Sequence, residues 1–250
     1  MKVSVILPTH NEKENITVLL RMIETVMKDV PTEVIVVDDG STDGTSEACR
    51  ELSSTLSTIQ VSTITRAQKT GLGSAYVCGV GHATGEYVLI MDADLSHDPR
   101  DMLRLLRRAE ETGAGVVIGT RYTKEGGFSN WPFFRKLTSR TANLLAGMFT
   151  GKTHSDMTNS YRVYRRDVLQ AGIRKVQATG FAYQMEILYH CKTRVEEVPV
   201  CFYERSYGRS KLGPYEYFHF LFWGSVLLCR RLQLLLHRVL YCECSEDFFE

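Results

Sequence analysis

The chain has 250 residues, of which 44% are hydrophobic, so it is long enough to form one large domain with a substantial core. Its formal net charge of +1 provides no overall attraction to nucleic acid, and no nucleic-acid partner is predicted. Its seven cysteines, an odd number without the spacing of metal ligands, indicate a reducing compartment and free thiols rather than a disulfide framework.

The amino-terminal segment begins with a strand pattern. The apolar run 3–7 ends at Pro8, and the polar segment 9–12 follows it. Apolar side chains then recur every three or four residues as far as Met27, which predicts a helix with one buried face. The strand begins almost at the first residue, without the pattern of a secretory signal, so we expect the domain to lie in the cytosol.

Two further strands follow at the spacing of an alternating α/β chain. Residues 34–37 form a wholly apolar strand that ends in the polar turn 38–45, and residues 59–65 predict a third strand. Helices are predicted between these strands and again after Gly71. Strands that alternate with helices in this way predict an α/β fold, with a Rossmann-like, mostly parallel sheet flanked by helices in a single domain.

Residues 86–99 carry the most informative pattern. The apolar run 87–91 predicts a central strand covered on both faces, and Asp92 and Asp94 follow it with only Ala93 between them. Open parallel sheets bind ligands beyond the carboxyl ends of their strands. Because Mg²⁺ and similar cations prefer oxygen ligands and need few protein carboxylates beside phosphates, the two aspartates predict a cation site.

A structural interpretation of these aspartates stays open, because D-x-D also occurs in turns and caps. Asp98 and Pro99 predict the N-cap and first residue of the next helix. If the strands are parallel, the loops 8–12, 38–45 and 92–98 meet at one edge, as in a nucleotide site. The chain has neither G-x-x-x-x-G-K-[ST] nor G-x-G-x-x-G after its first strand, so acidic side chains and a metal would hold the nucleotide.

The second half of the chain contributes basic residues. A strand over 116–118 leads to Arg121, and a long loop then leads to a helix that carries Arg135, Lys136 and Arg140. Long loops in compact domains are often lids or binding loops, and arginine and lysine are suited to phosphate. An exposed surface cluster is the alternative interpretation of these residues.

An edge strand and an amphipathic tail complete the chain. Residues 197–200 predict an edge strand because Pro199 cannot donate to a neighbour, and the basic loop 204–212 follows. We divide the chain into a domain over 1–214 and a helical tail over 215–250. The apolar part of the tail is too short to span a membrane, so it packs on the domain's own core or lies on a membrane surface or a partner.

Eight segments, in order, resemble the inverting glycosyltransferases of family 2, which have the GT-A fold. They are VILPTHNEKENI, VIVVDDGSTDGT, MDADLSHDP, GTRY, WPFFRKLTSR, DMTNSYRVYRRDV, GFAYQMEIL and EVPVCFYERSYGRSKLG. The first three are shared by nucleotide-sugar transferases in general. Those from GTRY onward resemble the branch that acts on polyprenyl phosphates, and most of all the dolichol-phosphate mannosyltransferases.

The resemblance implies transfer of mannose from GDP-mannose to dolichyl phosphate at the cytoplasmic face of the endoplasmic reticulum. The product would be the lipid-linked mannose donor for protein glycosylation and GPI anchors. The resemblance implies binding of GDP-mannose by Pro8, His10, Glu12, Val37, Asp39, Asp92, Ala93, Asp94, Arg121, Arg205 and Lys211, with the catalytic group formed by Asp92, Asp94, Arg121 and Arg205.

The resemblance further implies that Arg135 and Ser139 bind the lipid phosphate, and that Asp92, Asp94 and Ser96 hold Mg²⁺ or Mn²⁺. Two positions depart from the family pattern. Ser96 occupies a position that is glutamine in some relatives, and His10 replaces a frequent tyrosine. Family members that lack membrane spans dock onto small membrane subunits, so such subunits and the membrane surface are the implied partners.

The absence of a motif that is common in relatives with hydroxyl acceptors favours an anionic acceptor. Relatives that activate a sugar hydroxyl commonly carry Q-x-x-R-W, and this chain has no Arg-Trp pair. A lipid phosphate is already ionised, so its attack needs no strong general base, and the cost lies in the departing diphosphate. Two other functions stay open: sugar transfer from a UDP donor to polyprenyl phosphate, and a non-catalytic nucleotide-sugar-binding subunit.

Overall fold

Strands and helices alternate along most of the computed structural model, which describes residues 1–205, 207 and 213–243, the last six of these by their backbone alone. The strands are β1 (Val3–Thr9), β2 (Thr32–Asp38), β3 (Ile59–Thr65), β4 (Tyr87–Ile90), β5 (Val116–Thr120), β6 (Gly127–Phe128), β7 (Arg162–Arg165), β8 (Val195–Pro199) and β9 (Cys201–Phe202). The helices are α1 (Lys13–Met27), α2 (Thr45–Ser53), α3 (Leu72–His82), α4 (Asp101–Thr112), α5 (Phe133–Thr150), α6 (Arg166–Ile173), α7 (Tyr183–His190) and α8 (Pro214–Glu243).

A seven-stranded sheet with the order β3-β2-β1-β4-β7-β5-β8 forms the centre of the fold. Its pairs are parallel except for β7, which runs antiparallel to β4 and β5. The predicted α/β class with a mostly parallel sheet is therefore confirmed. β7 is reversed because the chain re-enters the sheet at the carboxyl end of β5, where the Gly119 backbone N–H donates to Tyr161 O.

The sheet has an apolar core on each face. Alternate residues of β1 point to opposite faces, so Val5 and Leu7 pack with α1, α2 and α4, whereas Ile6 packs with α3. α3 lies close to the sheet because Gly79 has no side chain; a Cβ there would lie 2.6 Å from Ile6 Cγ2. β4 is buried along its whole length, as its unbroken apolar sequence predicts.

Two sequence boundaries can be compared with the structure directly. β8 lies at the edge of the sheet, as Pro199 predicts. The helix after the aspartate pair begins at Asp101, with Arg100 as its N-cap, so the predicted start at Asp98 and Pro99 is wrong by two residues. Asp98 Oδ1 still accepts the Arg100 backbone N–H at 2.9 Å, because the chain makes a turn before the helix.

The carboxy-terminal helix α8 packs against α5 and α7. Leu227 is fully buried there, and Gly224 fits against the ring of Phe149. Many other apolar side chains of α8 are exposed, namely those of Tyr215, Tyr217, Phe218, Leu221, Phe222, Leu232, Leu234, Leu235 and Leu236. Within the described residues, no helix combines the length and the apolar character needed to cross a membrane. The division into a domain over 1–214 and a tail over 215–250 stays a prediction.

Candidate active site

The loops that follow β1, β2 and β4 lie side by side at the carboxyl edge of the sheet. β1 is paired with β2 and with β4, so that Pro8 lies opposite Val37 and Ile6 lies opposite Ile90. The predicted convergence of these three loops is confirmed by this register. A ligand in the crevice beyond β1 and β4 would therefore meet both the polar loop after β1 and the aspartate pair after β4.

The predicted nucleoside-binding residues lie at the ends of β1 and β2. His10 Nδ1 lies 2.9 Å from the backbone oxygen of Asp39 and donates to it when Nδ1 carries the proton. The Asp39 carboxylate forms an ion pair with Arg66. Glu12 is buried and accepts a hydrogen bond of 2.7 Å from Asn15 Nδ2. These contacts hold the polar groups of both loops in fixed positions.

Pro8 and Val37 differ in what they can offer a nucleoside. Pro8 is half-buried at the edge, whereas the Val37 side chain is fully buried in the core on the α3 side of the sheet. Any contact that Val37 makes with a ligand would therefore involve its backbone. The roles of both residues stay predictions.

Asp94 is the more firmly held carboxylate of the aspartate pair. Its Oδ1 accepts the Ser96 backbone N–H at 3.1 Å and the Ser96 hydroxyl at 2.5 Å. Its Oδ2 lies 2.7 Å from Arg205 Nε in an ion pair. Ser96 is fully buried, so in this structure its hydroxyl positions Asp94.

Asp92 lies in a less favourable setting for a negative charge. Burial raises the pKa of Asp92, and the nearby Asp94 carboxylate raises it further, while His97, a hydrogen bond from Ser160 and Arg205 act in the opposite direction. Tyr76 OH is 3.4 Å from Asp92 Oδ1. A cation placed between the two aspartates would relieve this repulsion.

The aspartate loop is braced from behind by His97. The ring of His97 is buried, stacks on Tyr161 with 4.7 Å between ring centroids, and has Nε2 3.0 Å from Asn159 Oδ1. Leu95 adopts a left-handed backbone conformation with φ of 62°, which is unusual for a residue with a branched side chain. Strained backbone of this kind persists only where surrounding contacts hold it, and it often marks a functional loop.

Arg121 is held by a buried carboxylate. Its Nε and Nη2 lie 2.6 and 2.7 Å from the two carboxylate oxygens of Asp156, and Nη2 also donates to Thr158 Oγ1. The guanidinium lies 5.5–5.7 Å from the ring centroids of Tyr122, Phe128, Trp131 and Phe202. Arg121 therefore contributes positive charge to the site while much of its donor capacity is used by Asp156.

Arg135 and Arg205 extend the positive charge toward the aspartates. The Arg135 guanidinium stacks 3.9 Å from the ring centroid of Trp131. Burial lowers the pKa of Arg135, and the charges of Arg205 and Arg121 lower it further, whereas Asp94 raises it. Three arginines and the aspartate pair therefore act on one another across one region, as the sequence predicts.

The remaining predicted site residues lie around this group. Ser139 is one turn along α5 from Arg135, and its Oγ accepts a hydrogen bond of 2.7 Å from Tyr122 OH. Ala93 is buried between the aspartates. Lys211 lies outside the described residues.

The oxygen atoms of the aspartate pair fit a hard divalent cation. Two carboxylates with a neighbouring hydroxyl are the ligand type that Mg²⁺ and Mn²⁺ prefer, and phosphate oxygens can complete the shell. The described residues contain no group of three or more His, Cys, Asp and Glu side chains that would hold a metal without a substrate. A cation that bound both Asp94 oxygens would displace Arg205 from Oδ2.

Three residues of the site lie outside the sequence-derived set: Arg66, His97 and Asp156. Arg66 directly follows the predicted third strand, so the prediction that strand ends meet at one edge of the sheet applied to it as well. Asp156 belongs to one of the segments that carry the family resemblance. No pattern in the sequence indicates that His97 turns inward.

The sequence profile described as Glycosyl transferase family 2 matches residues 4–172. The chain belongs to glycosyltransferase family 2. The match includes the aspartate loop, Arg121 and the start of α5, and it ends before the loop that carries Arg205.

Two curated relatives are similar over most of the chain. A dolichol-phosphate mannosyltransferase of Pyrococcus furiosus is 38% identical over 224 residues, which are 88% of this chain and 62% of that protein. A polyprenol monophosphomannose synthase of Mycolicibacterium smegmatis is 38% identical over 216 residues, which are 84% of this chain and 80% of that protein. The chain thus spans about three fifths of the length of the Pyrococcus relative.

A solved structure supports the fold. The mannosyltransferase PcManGT of Pyrobaculum calidifontis, determined with GDP-Man and Mn²⁺, superposes with a TM-score of 0.57 at 25% identity, covering 86% of this chain and 59% of that one. The family match and this likeness confirm the GT-A fold that the sequence resemblance implies.

Proposed function

We propose that the protein transfers mannose from GDP-mannose to dolichyl phosphate. The observation that carries this proposal is the group formed by Asp92 and Asp94 with Arg121, Arg135 and Arg205 at the carboxyl edge of the sheet. Carboxylates for a cation beside arginines for phosphate suit a substrate that is a nucleoside diphosphate. The names of the two curated relatives support mannose as the sugar and a polyprenyl phosphate as the acceptor.

The donor would lie across the loops after β1, β2 and β4. Asp39, fixed by Arg66, and the loop from Pro8 to Glu12 would hold the nucleoside, and the aspartate pair would lie beside the diphosphate. A divalent cation bound by Asp92 and Asp94 would neutralise charge on the diphosphate oxygens. Arg205, released from Asp94 when the cation binds, would be free to contact the diphosphate.

The acceptor would approach from the α5 side. Arg135 and Ser139, one turn apart on that helix, would hold the lipid phosphate with one of its oxygens directed at the anomeric carbon. That oxygen forms the new bond to the anomeric carbon while the bond from this carbon to the diphosphate breaks, with inversion. The phosphate is already anionic, so no side chain has to remove a proton, and the arginines stabilise the charge of the leaving GDP.

The membrane side of the proposal depends on α5 and α8. Phe133 and Phe134, at the start of α5, are 72% and 78% exposed, next to Arg135. Aromatic side chains exposed beside a lipid-phosphate site suit the surface of a membrane, here the cytoplasmic face of the endoplasmic reticulum. The exposed apolar side chains of α8 suit the same surface or small membrane-anchoring subunits.

Label transfer tests the proposal. Purified protein is incubated with GDP-mannose labelled in the sugar and with dolichyl phosphate, with Mg²⁺, with Mn²⁺, or with a chelator. We expect label in the lipid product only with a cation, and none when dolichol without phosphate replaces the acceptor. Preferential transfer from UDP-glucose would favour the UDP-donor alternative. Binding of GDP-mannose without transfer to any polyprenyl phosphate would favour the non-catalytic subunit.

A further inference from the structure

A cavity lies between α5, the loop 151–155 and α8, beside the proposed active site. This cavity, which we call the α5–α8 groove, has a volume of about 650 Å³ and is lined in part by Arg140, Leu144, Met148, Lys152 and Arg231. Its wall toward the active site includes Tyr122, whose hydroxyl donates to Ser139, and Asn143, which donates to Ser139 O and to Thr158 Oγ1. Arg121 and Arg135 are not among the residues that line the groove.

The groove is positively charged. Arg140, Lys152 and Arg231 line it, and the described lining residues include no Asp or Glu. Within the described part of the chain, neither Arg140 nor Lys152 forms an ion pair. The Glu197 carboxylate, which accepts hydrogen bonds from the lining residue Ser155, is outnumbered by these basic side chains. A concave site with an excess of positive charge attracts an anion, and arginine and lysine bind phosphate through charge-assisted hydrogen bonds.

Arg231 is fixed in the groove by the end of α5. Its Nη1 donates to the backbone oxygen of Met148 at 3.1 Å, one of the carbonyls that a helix end leaves without a partner. Gly151, with φ of 69°, ends the helix, and a Cβ there would lie 2.5 Å from Arg231 Cζ. The guanidinium therefore covers the negative end of α5, which would otherwise repel an anion.

One side of the groove is apolar and open. Leu144 and Met148 are 66% and 58% exposed on α5, and Phe133, Phe134 and Leu137 continue the same exposed apolar series toward the start of the helix. A free phosphate ion would use the basic side chains and leave these apolar side chains in water. A phosphate group with hydrocarbon chains attached would satisfy both features.

We propose that the α5–α8 groove binds the phosphate headgroup of an anionic membrane glycerophospholipid, whose acyl chains cover Leu144 and Met148. The lipid is distinct from the acceptor, because neither Arg135 nor Ser139 lines the groove. This lipid would fix the orientation of α5 and α8 on the membrane.

Vesicle binding by the full chain tests this proposal. We expect Arg140→Gln/Lys152→Gln to reduce binding to phosphatidylcholine vesicles that contain phosphatidylserine by about tenfold or more, since each basic residue near an anionic surface adds to the attraction. Binding to pure phosphatidylcholine vesicles should stay unchanged. The matched control Arg21→Gln/Lys28→Gln removes two exposed charges, one on α1 and one on the residue that follows it, on the opposite face of the sheet, and should leave both affinities unchanged.

Two further arms separate a headgroup site from other occupants. Arg140→Lys/Lys152→Arg keeps the charge and should keep the binding, and the melting temperature of each variant shows that it is folded. Equal binding by Arg140→Gln/Lys152→Gln and the parent overturns the proposal, as does an equal loss in the α1 control. Binding of inorganic phosphate that is lost in Arg140→Gln/Lys152→Gln while vesicle binding is kept would assign the groove to free phosphate and also overturns the proposal. A loss of binding confined to vesicles that contain dolichyl phosphate would assign the groove to the acceptor and overturns it as well.

Discussion

Glu33 at the amino end of the central sheet and Asp92 at its carboxyl end are carboxylates in opposite settings. At the amino end, Glu33 of β2 accepts hydrogen bonds from Ser4 Oγ at 2.5 Å and from Thr84 N at 2.6 Å, and it forms an ion pair with Lys2. Burial acts to raise the pKa of Glu33, but these donors outweigh it and lower the pKa to about 2. At the carboxyl end, burial and Asp94 raise the pKa of Asp92.

The difference indicates which end is built for stability and which for chemistry. Protein donors satisfy the charge of Glu33, so ionisation of this carboxylate stabilises the folded chain. Asp92 lies beside a second carboxylate, and burial together with their mutual repulsion disfavours its charged form. Functional sites commonly retain such unfavourable arrangements, which a structural site would lose.

Asp156→Ala is the strongest challenge to this comparison, because Asp156 is a structural carboxylate at the chemical end. Burial acts to raise the pKa of Asp156, but Arg121 outweighs it and holds the pKa below its usual value. Removing Asp156 leaves the buried Arg121 without its counter-charge, which we expect to lower the free energy of unfolding by about 3–5 kcal/mol. Denaturant titration measures the loss.

Two controls accompany Asp156→Ala. Asp167→Ala removes the partner of exposed Arg165 and should change the stability by less than about 1 kcal/mol. Adding Arg121→Met to Asp156→Ala should restore part of the stability, because the buried charge is gone. If Asp167→Ala and Asp156→Ala lower the free energy of unfolding by the same amount, burial does not explain the structural role of Asp156.

Asp94→Asn is the corresponding test of the chemical carboxylates. Loss of the charge should reduce turnover with GDP-mannose by more than about 2 kcal/mol of transition-state stabilisation, or roughly 30-fold. Its stability should change little, because the lost attraction to Arg205 is offset by the lost repulsion from Asp92. Normal turnover in saturating Mn²⁺ would contradict the proposed role, as would a large loss of stability.

The sequence was sufficient for the features that depend on local pattern. The run 87–91 is apolar on every residue, which identifies a strand covered on both faces and hence the position of Asp92 and Asp94 at its end. The convergence with the loops after β1 and β2 then follows from parallel pairing. The positions of the candidate acidic residues were predictable for this reason.

Features that depend on the path of the chain were not predictable in the same way. The reversed direction of β7 arises where its loop re-enters the sheet beside Gly119, and four residues of sequence contain no signal for direction. The pairing of Arg121 with Asp156 joins side chains 35 positions apart. Only the folded chain reveals that Arg121 is largely held by a protein carboxylate.

Glu33→Gln tests the amino end. We expect the free energy of unfolding to fall by about 2 kcal/mol at neutral pH, less than the full pKa shift implies because the group is partly exposed to water. Because the pKa of Glu33 is lower in the folded chain, its ionised carboxylate stabilises the fold at pH values above 4.5, its pKa in the unfolded chain. This stabilisation is lost as the pH falls from 4.5 toward the folded pKa of about 2. The difference between parent and variant should therefore shrink across this range, with turnover unchanged. A stability difference between parent and Glu33→Gln that does not change with pH would contradict this prediction, as would a pH-dependent difference of the same size in the exposed control Glu51→Gln.

Arg66→Gln has the smallest expected effect and tests whether Arg66 is a structural or a functional residue. Arg66 pairs with the Asp39 carboxylate at the carboxyl end of the sheet, much as Ser4 and Thr84 donate to Glu33 at the amino end. Without Arg66, Asp39 loses the ion pair that, in the proposed function, holds it toward the nucleoside. We expect the KM for GDP-mannose to rise about fivefold, near 1 kcal/mol, with kcat almost unchanged, because this contact is made equally before and during reaction. Arg50→Gln is the matched control, since Arg50 contacts Thr65 at the adjoining end of β3. An unchanged KM, or the same rise in the Arg50 variant, would place Arg66 with the structural residues and leave Asp39 without a positioning partner.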